Sequence, residues 1–490
     1  MQLLEDIDTV RTNVAKVTSR AKKAALGQFM TPKSTAAFMA SLFPTPKGKV
    51  CRLLDAGAGI GSLTSAFLDR WGKSFDAIEA TAFELDDVVR EHLAETMATY
   101  ADRLGITTHI EGGDFIEHAV NQLQFGQSPS FTHAILNPPY KKINSASNYR
   151  LLLRQVDIET VNLYTAFVAL AVAMMDKGGQ VVAIIPRSFC NGPYYRPFRD
   201  FILSRAAISH LHLFESRNTA FKDDQVLQEN IIIRLACGQP QGMVTVSTST
   251  DDTFSDLTTH EHPFDRIVFP SDPERFIHVP TSPELTACEA SLAVQCSLED
   301  IGVKVSTGPV VDFRLKDHLR AMPDKDTVPL LYPGHFTGGA THWPIPDAKK
   351  PNAIALNDET KRWLYPTGFY CIVRRFSSKE ERRRIVASVI DPADFSGAEL
   401  LGLENHLNVF HEGRRGMPKA LAHGLALFLN STAVDAHFRR FSGHTQVNAT
   451  DLKLMKYPSR KTLMILGAWA MRHGPLNQES IDTQLSAITA

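Results

Sequence analysis

Four short apolar runs in the first third of the chain each end in a polar residue, with helix-length segments between them. Val50–Leu54 ends at Asp55, Asp76–Glu84 ends in its own carboxylate, a third run ends at Asp114, and Thr132–Leu136 ends at Asn137. Ser62–Trp71 and Asp87–Ala101 are the intervening helices. Another helix is expected over Val161–Met175, where Leu163, Phe167, Leu170 and Met174 fall on one face; Gly178-Gly179 should stop it before a buried strand at Gln180–Pro186. Strands that alternate with helices pair in parallel through right-handed crossovers, and such sheets bind ligands at the carboxyl ends of their strands. One polar strand end would be unremarkable, but four at the same edge predict a site there.

The loop after the first strand reads Asp55-Ala56-Gly57-Ala58-Gly59-Ile60-Gly61. Its glycines let the backbone approach a ligand closely and let the next helix pack against the sheet. A glycine loop alone is weak evidence, since turns also use glycine. A dinucleotide site prefers GxGxxG with pyrophosphate on the helix N-terminus, whereas here GxGxG directly follows an acid. Glu84, ending the second strand, can accept both hydroxyls of a ribose. The pattern suits a ligand with a ribose and an amino acid but no pyrophosphate, and S-adenosylmethionine is such a molecule.

Asn137-Pro138-Pro139-Tyr140 is the most specific motif. Each proline fixes its own φ and restrains the residue before it, so the corner is stiff. Neither proline donates a backbone N–H, Asn137 offers an acceptor oxygen, and Tyr140 offers an aromatic face. A planar substrate with an NH2 group fits these features. Its amino hydrogens would bond to the Asn137 side chain and the Pro138 carbonyl, drawing the nitrogen lone pair toward an electrophilic methyl group. The bland alternative is a proline turn beside a packed tyrosine, which the upstream glycine loop disfavours.

In this order of motifs the sequence resembles the gamma class of N6-adenine DNA methyltransferases of restriction–modification systems, over nearly the whole chain. The resemblance implies an α/β fold: a Rossmann-like S-adenosylmethionine-dependent catalytic domain with a mostly parallel sheet, then a mixed α+β DNA-recognition domain. Thr31, within Gln28–Pro32, would lie against the methionine part of the cofactor. Asp55, Gly57, Gly59 and Gly61 would form the cofactor loop. Glu84 would take the ribose and Asp114 the cofactor's adenine amino group, with Phe115 packed on the ring. Asn137, Pro138, Pro139 and Tyr140 would be the catalytic tetrapeptide. Tyr140 and Phe221, or alternatively Phe214, would stack on the flipped base. The implied partner is double-stranded DNA, with a cognate restriction endonuclease acting separately, and a monomer would suffice. The same tetrapeptide occurs in enzymes that methylate a glutamine amide in protein release factors. Those are shorter, with a small helical domain in front, so the long segment after the core here favours nucleic acid. RNA adenine and an inactive DNA-binding protein are further readings.

Charge divides the chain unevenly. Residues 1–240 carry a net +1; residues 241–300 hold 2 basic and 11 acidic residues; residues 301–490 hold 25 basic and 18 acidic ones. The expected organisation is a catalytic domain over 1–240, an acidic linker or insertion over 241–300, and a target-recognition domain over 301–490. Arginine clusters at 374–375, 382–384, 414–415 and 439–440 suggest a face for DNA phosphates, although solvated helices also carry such clusters. Within this region Phe369–Phe376 reads as a strand, Ser377 to Glu380 as a capping box opening a helix, and Leu425–Phe438 as one helix. Arg439, Arg440, Gln446 and Asn448 are the candidate DNA contacts, with Asn448 or Thr450 also suited to cap a helix.

The six cysteines form no CxxC pair and the 18 histidines show no metal-ligand spacing, so no metal is expected. Asp324-Lys325-Asp326 lacks strand context, so no fused nuclease is expected either. The longest apolar run, Leu163–Met175, is too short to span a bilayer, and the charged N-terminus does not read as a signal peptide. A cytoplasmic protein is expected.

Overall fold

The computed structural model describes residues 2–17, 30–46, 48–126, 130–215, 229–270, 272–281, 294–337, 340–377, 381–395, 397–441 and 446–489. The chain forms two compact units, Met1–Pro283 and Glu284–Ala490.

The first unit is built on nine strands: β1 (Val50–Ala56), β2 (Ala77–Phe83), β3 (Thr107–Glu111), β4 (Phe131–Leu136), β5 (Met175–Pro186), β6 (Ala206–Phe214), β7 (Asn230–Cys237), β8 (Met243–Ser249) and β9 (Thr258–Pro263). They make one sheet in the order β3-β2-β1-β4-β5-β7-β6-β8-β9. Strands β1 to β5 pair in parallel, as their helical crossovers require. β7 runs antiparallel between β5 and β6. The helices are α1 (Gln2–Val17), α2 (Lys33–Ser41), α3 (Ser62–Trp71), α4 (Asp87–Leu104), α5 (Phe115–Gln124), α6 (Asn148–Arg154), α7 (Leu163–Ala173) and α8 (Arg196–Arg205). Two apolar cores cover the two faces. One takes Val181, Ala183 and Ile185 of β5 with α5, α7 and α8; the other takes Val182 and Ile184 with α2, α3 and α4. That alternation follows from the two-residue period of a strand buried on both faces.

Two expectations need correction. α7 ends at Ala173, and β5 already begins at Met175 opposite Phe131 of β4, so Gly178-Gly179 lies inside the strand rather than stopping the helix. Gly178, at φ +91°, sits where the β4–β5 register shifts. Residues 243–263 are not linker but strands β8 and β9, and the units divide at Pro283/Glu284 rather than near 240 and 300. Their Ser and Thr residues are part of the sheet: Ser247, Thr248 and Ser249 of β8 are buried with Val244 and Val246, while the edge strand β9 is mostly exposed.

The second unit is mixed α+β. Lys304–Thr307, Leu407–His411, Tyr370–Arg374 and Ala387–Ile390 form an antiparallel sheet in that order, beside a five-stranded mixed sheet. Helices Lys419–Leu429 and Arg460–His473 pack so closely at Gly424 and Gly467 that a Cβ on Gly424 would fall 1.8 Å from the Leu463 carbonyl oxygen. The strand expected at Phe369–Phe376 is present as Tyr370–Arg374. The helix expected over Leu425–Phe438 is two, Lys419–Leu429 and Thr432–Phe441. The break occurs because the Asn430 side chain exchanges hydrogen bonds with the backbone of Ala387 (3.0 and 2.8 Å). Residues 381–386 form no helix. Instead the Asp435 carboxylate accepts from the backbone N–H groups of Arg384 (2.7 Å) and Ile385 (3.0 Å) and from Arg439 Nε (2.7 Å). Arg384 is buried, with Nε on Ser377 Oγ and its guanidinium over the Phe438 ring. Among the described residues, no helix is long and apolar enough to cross a membrane.

Candidate active site

The carboxyl ends of β1, β2 and β4 open onto a cavity of about 390 Å³. Gly57 and Gly59 line it, both at positive φ (+79° and +58°). The Gly59 N–H donates to Glu84 Oε2 (2.9 Å), while Glu84 Oε1 accepts from the Asp86 N–H (2.8 Å). One carboxylate thus ties the end of β2 to the glycine loop. Burial raises the pKa of Glu84, against those two hydrogen bonds.

Two members of the expected cofactor loop lie behind the cavity rather than on its wall. Asp55 is fully buried, and its Oδ2 accepts from Thr64 N–H (3.2 Å) and Oγ1 (2.7 Å) in the first turn of α3. Oδ1 has no partner among the described residues, and burial pushes the pKa up to about 7. Gly61 (φ +89°) is where α3 meets α4: a Cβ there would lie 3.0 Å from Leu93 Cδ1 and 3.1 Å from Thr96 Cγ2. These two residues shape the loop from behind.

Asp114 and Phe115 both line the cavity. Asp114 caps α5, its Oδ1 accepting from Ile116 (2.8 Å) and Glu117 (3.2 Å) N–H groups. Phe115 lies between Phe83 and Phe167, each with ring centroids 5.0 Å away. Asn137 and Pro139 complete the wall. Asn137 Nδ2 donates to Thr31 Oγ1 (3.0 Å), joining the N-terminal segment to the end of β4. The Tyr140 hydroxyl lies 3.2 Å from both Asn137 Oδ1 and the Ile184 carbonyl, sharing its one hydrogen between them. Its ring meets Tyr164 edge-on at 6.1 Å. Pro138 is buried. The structure therefore brings Thr31, Gly57, Gly59, Glu84, Asp114, Phe115, Asn137 and Pro139 to one cavity, with Tyr140 bonded to Asn137.

Sequence reasoning missed other lining residues: Lys141, Lys142, Tyr149 and Phe167. Phe167 carried a signal, lying on the apolar face of α7, but was read as core. Tyr149 had no motif to flag it. Phe221 lies outside the described residues, and Phe214, the alternative, is buried in the core packed against α2 and α3. In the second unit, Arg439 is bound to Asp435 and to the Glu381 carbonyl. Gln446 Oε1 accepts from Arg375 Nη2 (3.2 Å), and Asn448 caps the helix Ala449–Leu454 in a capping box with Asp451. Arg440 lies beside Arg439 in the last turn of its helix.

Residues 60–221 match the family model of the Eco57I restriction-modification methylase. The chain is 50% identical over 495 aligned residues to the type II methyltransferase M.BsuBI of Bacillus subtilis, covering 99% of this chain and 98% of that one. This chain belongs to the type II methyltransferases. It is also 41% identical to the type II methyltransferase M.PstI of Providencia stuartii, over 97% of this chain and 95% of that one. A more distant relative, the tRNA1(Val) (adenine(37)-N6)-methyltransferase of Shewanella woodyi, is 26% identical over 39% of this chain and 79% of its own length. Among solved structures, the DrdV–DNA complex superposes with a TM-score of 0.54 at 13% identity, over 96% of this chain and 59% of that chain, a likeness of fold. The methyltransferase is thus the modification enzyme of a restriction–modification system, and S-adenosylmethionine is its cofactor. The residues present fit that cofactor: a carboxylate at a strand end can accept ribose hydroxyls, an aromatic ring beside a second carboxylate can take an aminopurine, and a Cβ at Gly59 would meet no atom of the described residues within 4 Å.

Proposed function

We propose that this methyltransferase modifies N6 of adenine at a defined site in double-stranded DNA. The observation that carries the reading is the placement of Asn137, held by Thr31 and Tyr140 on the wall of the cavity that also holds Glu84 and Asp114. Bound S-adenosylmethionine supplies an electrophilic methyl group. Glu84 holds the ribose, Asp114 and Phe115 hold the adenine ring of the cofactor, and Thr31 steadies both Asn137 and the methionine end. The target adenine is out of reach inside a duplex, so it is flipped at a cost of a few kcal/mol in unstacking and unpairing. Tyr140, with Phe221 proposed for the other face, offsets part of that cost by stacking. Asn137 Oδ1 and the Pro138 carbonyl accept the two N6 hydrogens and turn the nitrogen lone pair toward the methyl carbon. The bound cofactor would give up its methyl from sulfur to N6; because the N6 lone pair is itself the nucleophile, no strong base is needed beforehand, and the proton left on N6 could pass to water. Alignment of the two atoms supplies most of the rate. The relative whose name specifies adenine-N6 chemistry supports adenine as the base.

The second unit is proposed to read the target sequence. Arg440 and Gln446, the latter with Arg375 beside it, are the proposed DNA contacts. Arg439 and Asn448 are proposed with them; like Gln446, each also makes contacts within the unit. A separate cognate endonuclease, action as a monomer and a cytoplasmic location, where host DNA is, complete the reading. The test is incubation of duplex DNA with methyl-labelled S-adenosylmethionine and digestion to nucleosides. Label in N6-methyldeoxyadenosine is expected; label only in a cytosine derivative, or none with cofactor binding intact, would reject the proposal.

A further inference from the structure

Tyr149 lines the same cavity, on the first turn of α6, where its N–H donates to the capping Ser147 Oγ (3.3 Å). The helix is fixed by ion pairs from Arg150 and Arg154 to Glu159. The Tyr149 hydroxyl donates to Asp114 Oδ2 at 2.6 Å, the short length of a charge-assisted bond. Asp114 Oδ1 is meanwhile taken by two backbone N–H groups. The carboxylate is therefore fixed on both oxygens. Because the phenol's only hydrogen is committed to Asp114, its oxygen presents lone pairs alone. Two adjacent atoms, Asp114 Oδ2 and Tyr149 Oη, then show the cavity nothing but acceptors.

We propose that Asp114 Oδ2 and Tyr149 Oη form an acceptor-only bracket for the exocyclic amino group of the cofactor's adenine, and that Tyr149 thereby helps select an aminopurine over an oxopurine donor. The inference rests on the reading that Asp114 faces that ring. The two oxygens lie 2.6 Å apart, too close to take the two amino hydrogens separately, so one N–H of an amino group points between them and is shared. A carbonyl at the same ring position would face two lone-pair sets with no hydrogen between them, and buried unpaired acceptors are strongly disfavoured. Burial, and next the Asp114 carboxylate, push the Tyr149 pKa above its ordinary value, so the hydroxyl keeps its hydrogen across the working pH range.

The test is calorimetric binding of S-adenosylhomocysteine and S-inosylhomocysteine to the full chain. The wild-type protein should prefer the adenosyl compound by ~100-fold or more. Tyr149→Phe should narrow that preference by ~10-fold, as expected for one hydrogen bond to a charged pair. A merely structural loss would weaken both ligands alike and leave the ratio unchanged, which would overturn the inference, as would a wild-type ratio near one. Asp114→Asn separates the two readings. If it collapses the ratio while Tyr149→Phe does not, only the role of Tyr149 falls; if neither variant moves the ratio, the placement of Asp114 falls as well.

Discussion

Two glycines two residues apart in the same loop should fail in different ways when replaced by alanine. Gly59 has φ +58°, inside the left-handed region, and a Cβ there meets no atom of the described residues within 4 Å. The backbone cost for alanine is roughly 1–2 kcal/mol, with no packing term. Gly61 has φ +89°, and its Cβ would press on Leu93 at 3.0 Å and Thr96 at 3.1 Å. Overpacking of that kind costs about 1–3 kcal/mol, added to a similar or larger backbone strain, so a total of roughly 2–5 kcal/mol follows. At about 2–4 °C per kcal/mol, Gly61→Ala should lower Tm by roughly 4–20 °C and Gly59→Ala by roughly 2–8 °C. Cofactor affinity should run the other way. The new methyl at 59 occupies ligand space and should raise the S-adenosylmethionine Kd by ~10-fold or more, as a loss of about 1.4 kcal/mol. Gly61→Ala, while folded, should bind within a few-fold of wild type. Scanning calorimetry and titration calorimetry read the two effects separately. A Gly59→Ala variant with unchanged Kd, or a Gly61→Ala variant as stable as wild type, would refute the division of the loop into a ligand-facing and a helix-facing glycine.

Three further outcomes follow from the geometry. The Asp55 carboxyl has a folded pKa of about 7 against an ordinary 3.8, so its contribution to stability is fully present below about pH 4 and is lost as pH rises through about 7; Asp55→Asn should flatten the fall in unfolding free energy over that window by about 4 kcal/mol, and an unaltered urea-derived slope would sink the assignment. Tyr140→Phe removes the hydroxyl shared by Asn137 and Ile184 and should lower kcat by ~5- to 10-fold, about 1 kcal/mol, with cofactor Kd unchanged; a changed Kd at constant kcat would contradict this. Asp435→Ala strips two backbone donors and Arg439 of their acceptor and should destabilise the second unit by about 3 kcal/mol, read as a lower thermal transition, whereas an unshifted transition would show the contact to be idle.

The first unit was legible because its signals were local. β1, α3 and α4 fall within a few residues of the runs that announced them, and the strand ends carried the site. Position in the motif did not reveal which way a residue faces. Asp55 and Gly61 belong to the loop but serve α3 and α4, a distinction that only the packed helices make. Residues 243–263 misled because acidic, Thr-rich sequence reads alike in a linker and in an edge hairpin. The second unit was less legible because its signals are non-local. Asn430 ends a helix by bonding to Ala387, and Asp435 organises residues 384–385 from a helix far along the chain, so no window of sequence contains both partners. Tyr149 was missed for the same reason: its meaning lies in Asp114, 35 residues earlier.

The central claim is that Asn137 aligns an amino nitrogen for methyl transfer without being needed to hold the cofactor. Single-turnover transfer by Asn137→Ala, measured beside its S-adenosylmethionine and duplex Kd values, tests it most directly. The expected result is a loss of ~100-fold or more in transfer rate, the scale of removing a positioned transition-state contact, with the cofactor Kd within a few-fold of wild type. Transfer retained within a few-fold, or a loss wholly accounted for by weaker cofactor binding, would contradict the account.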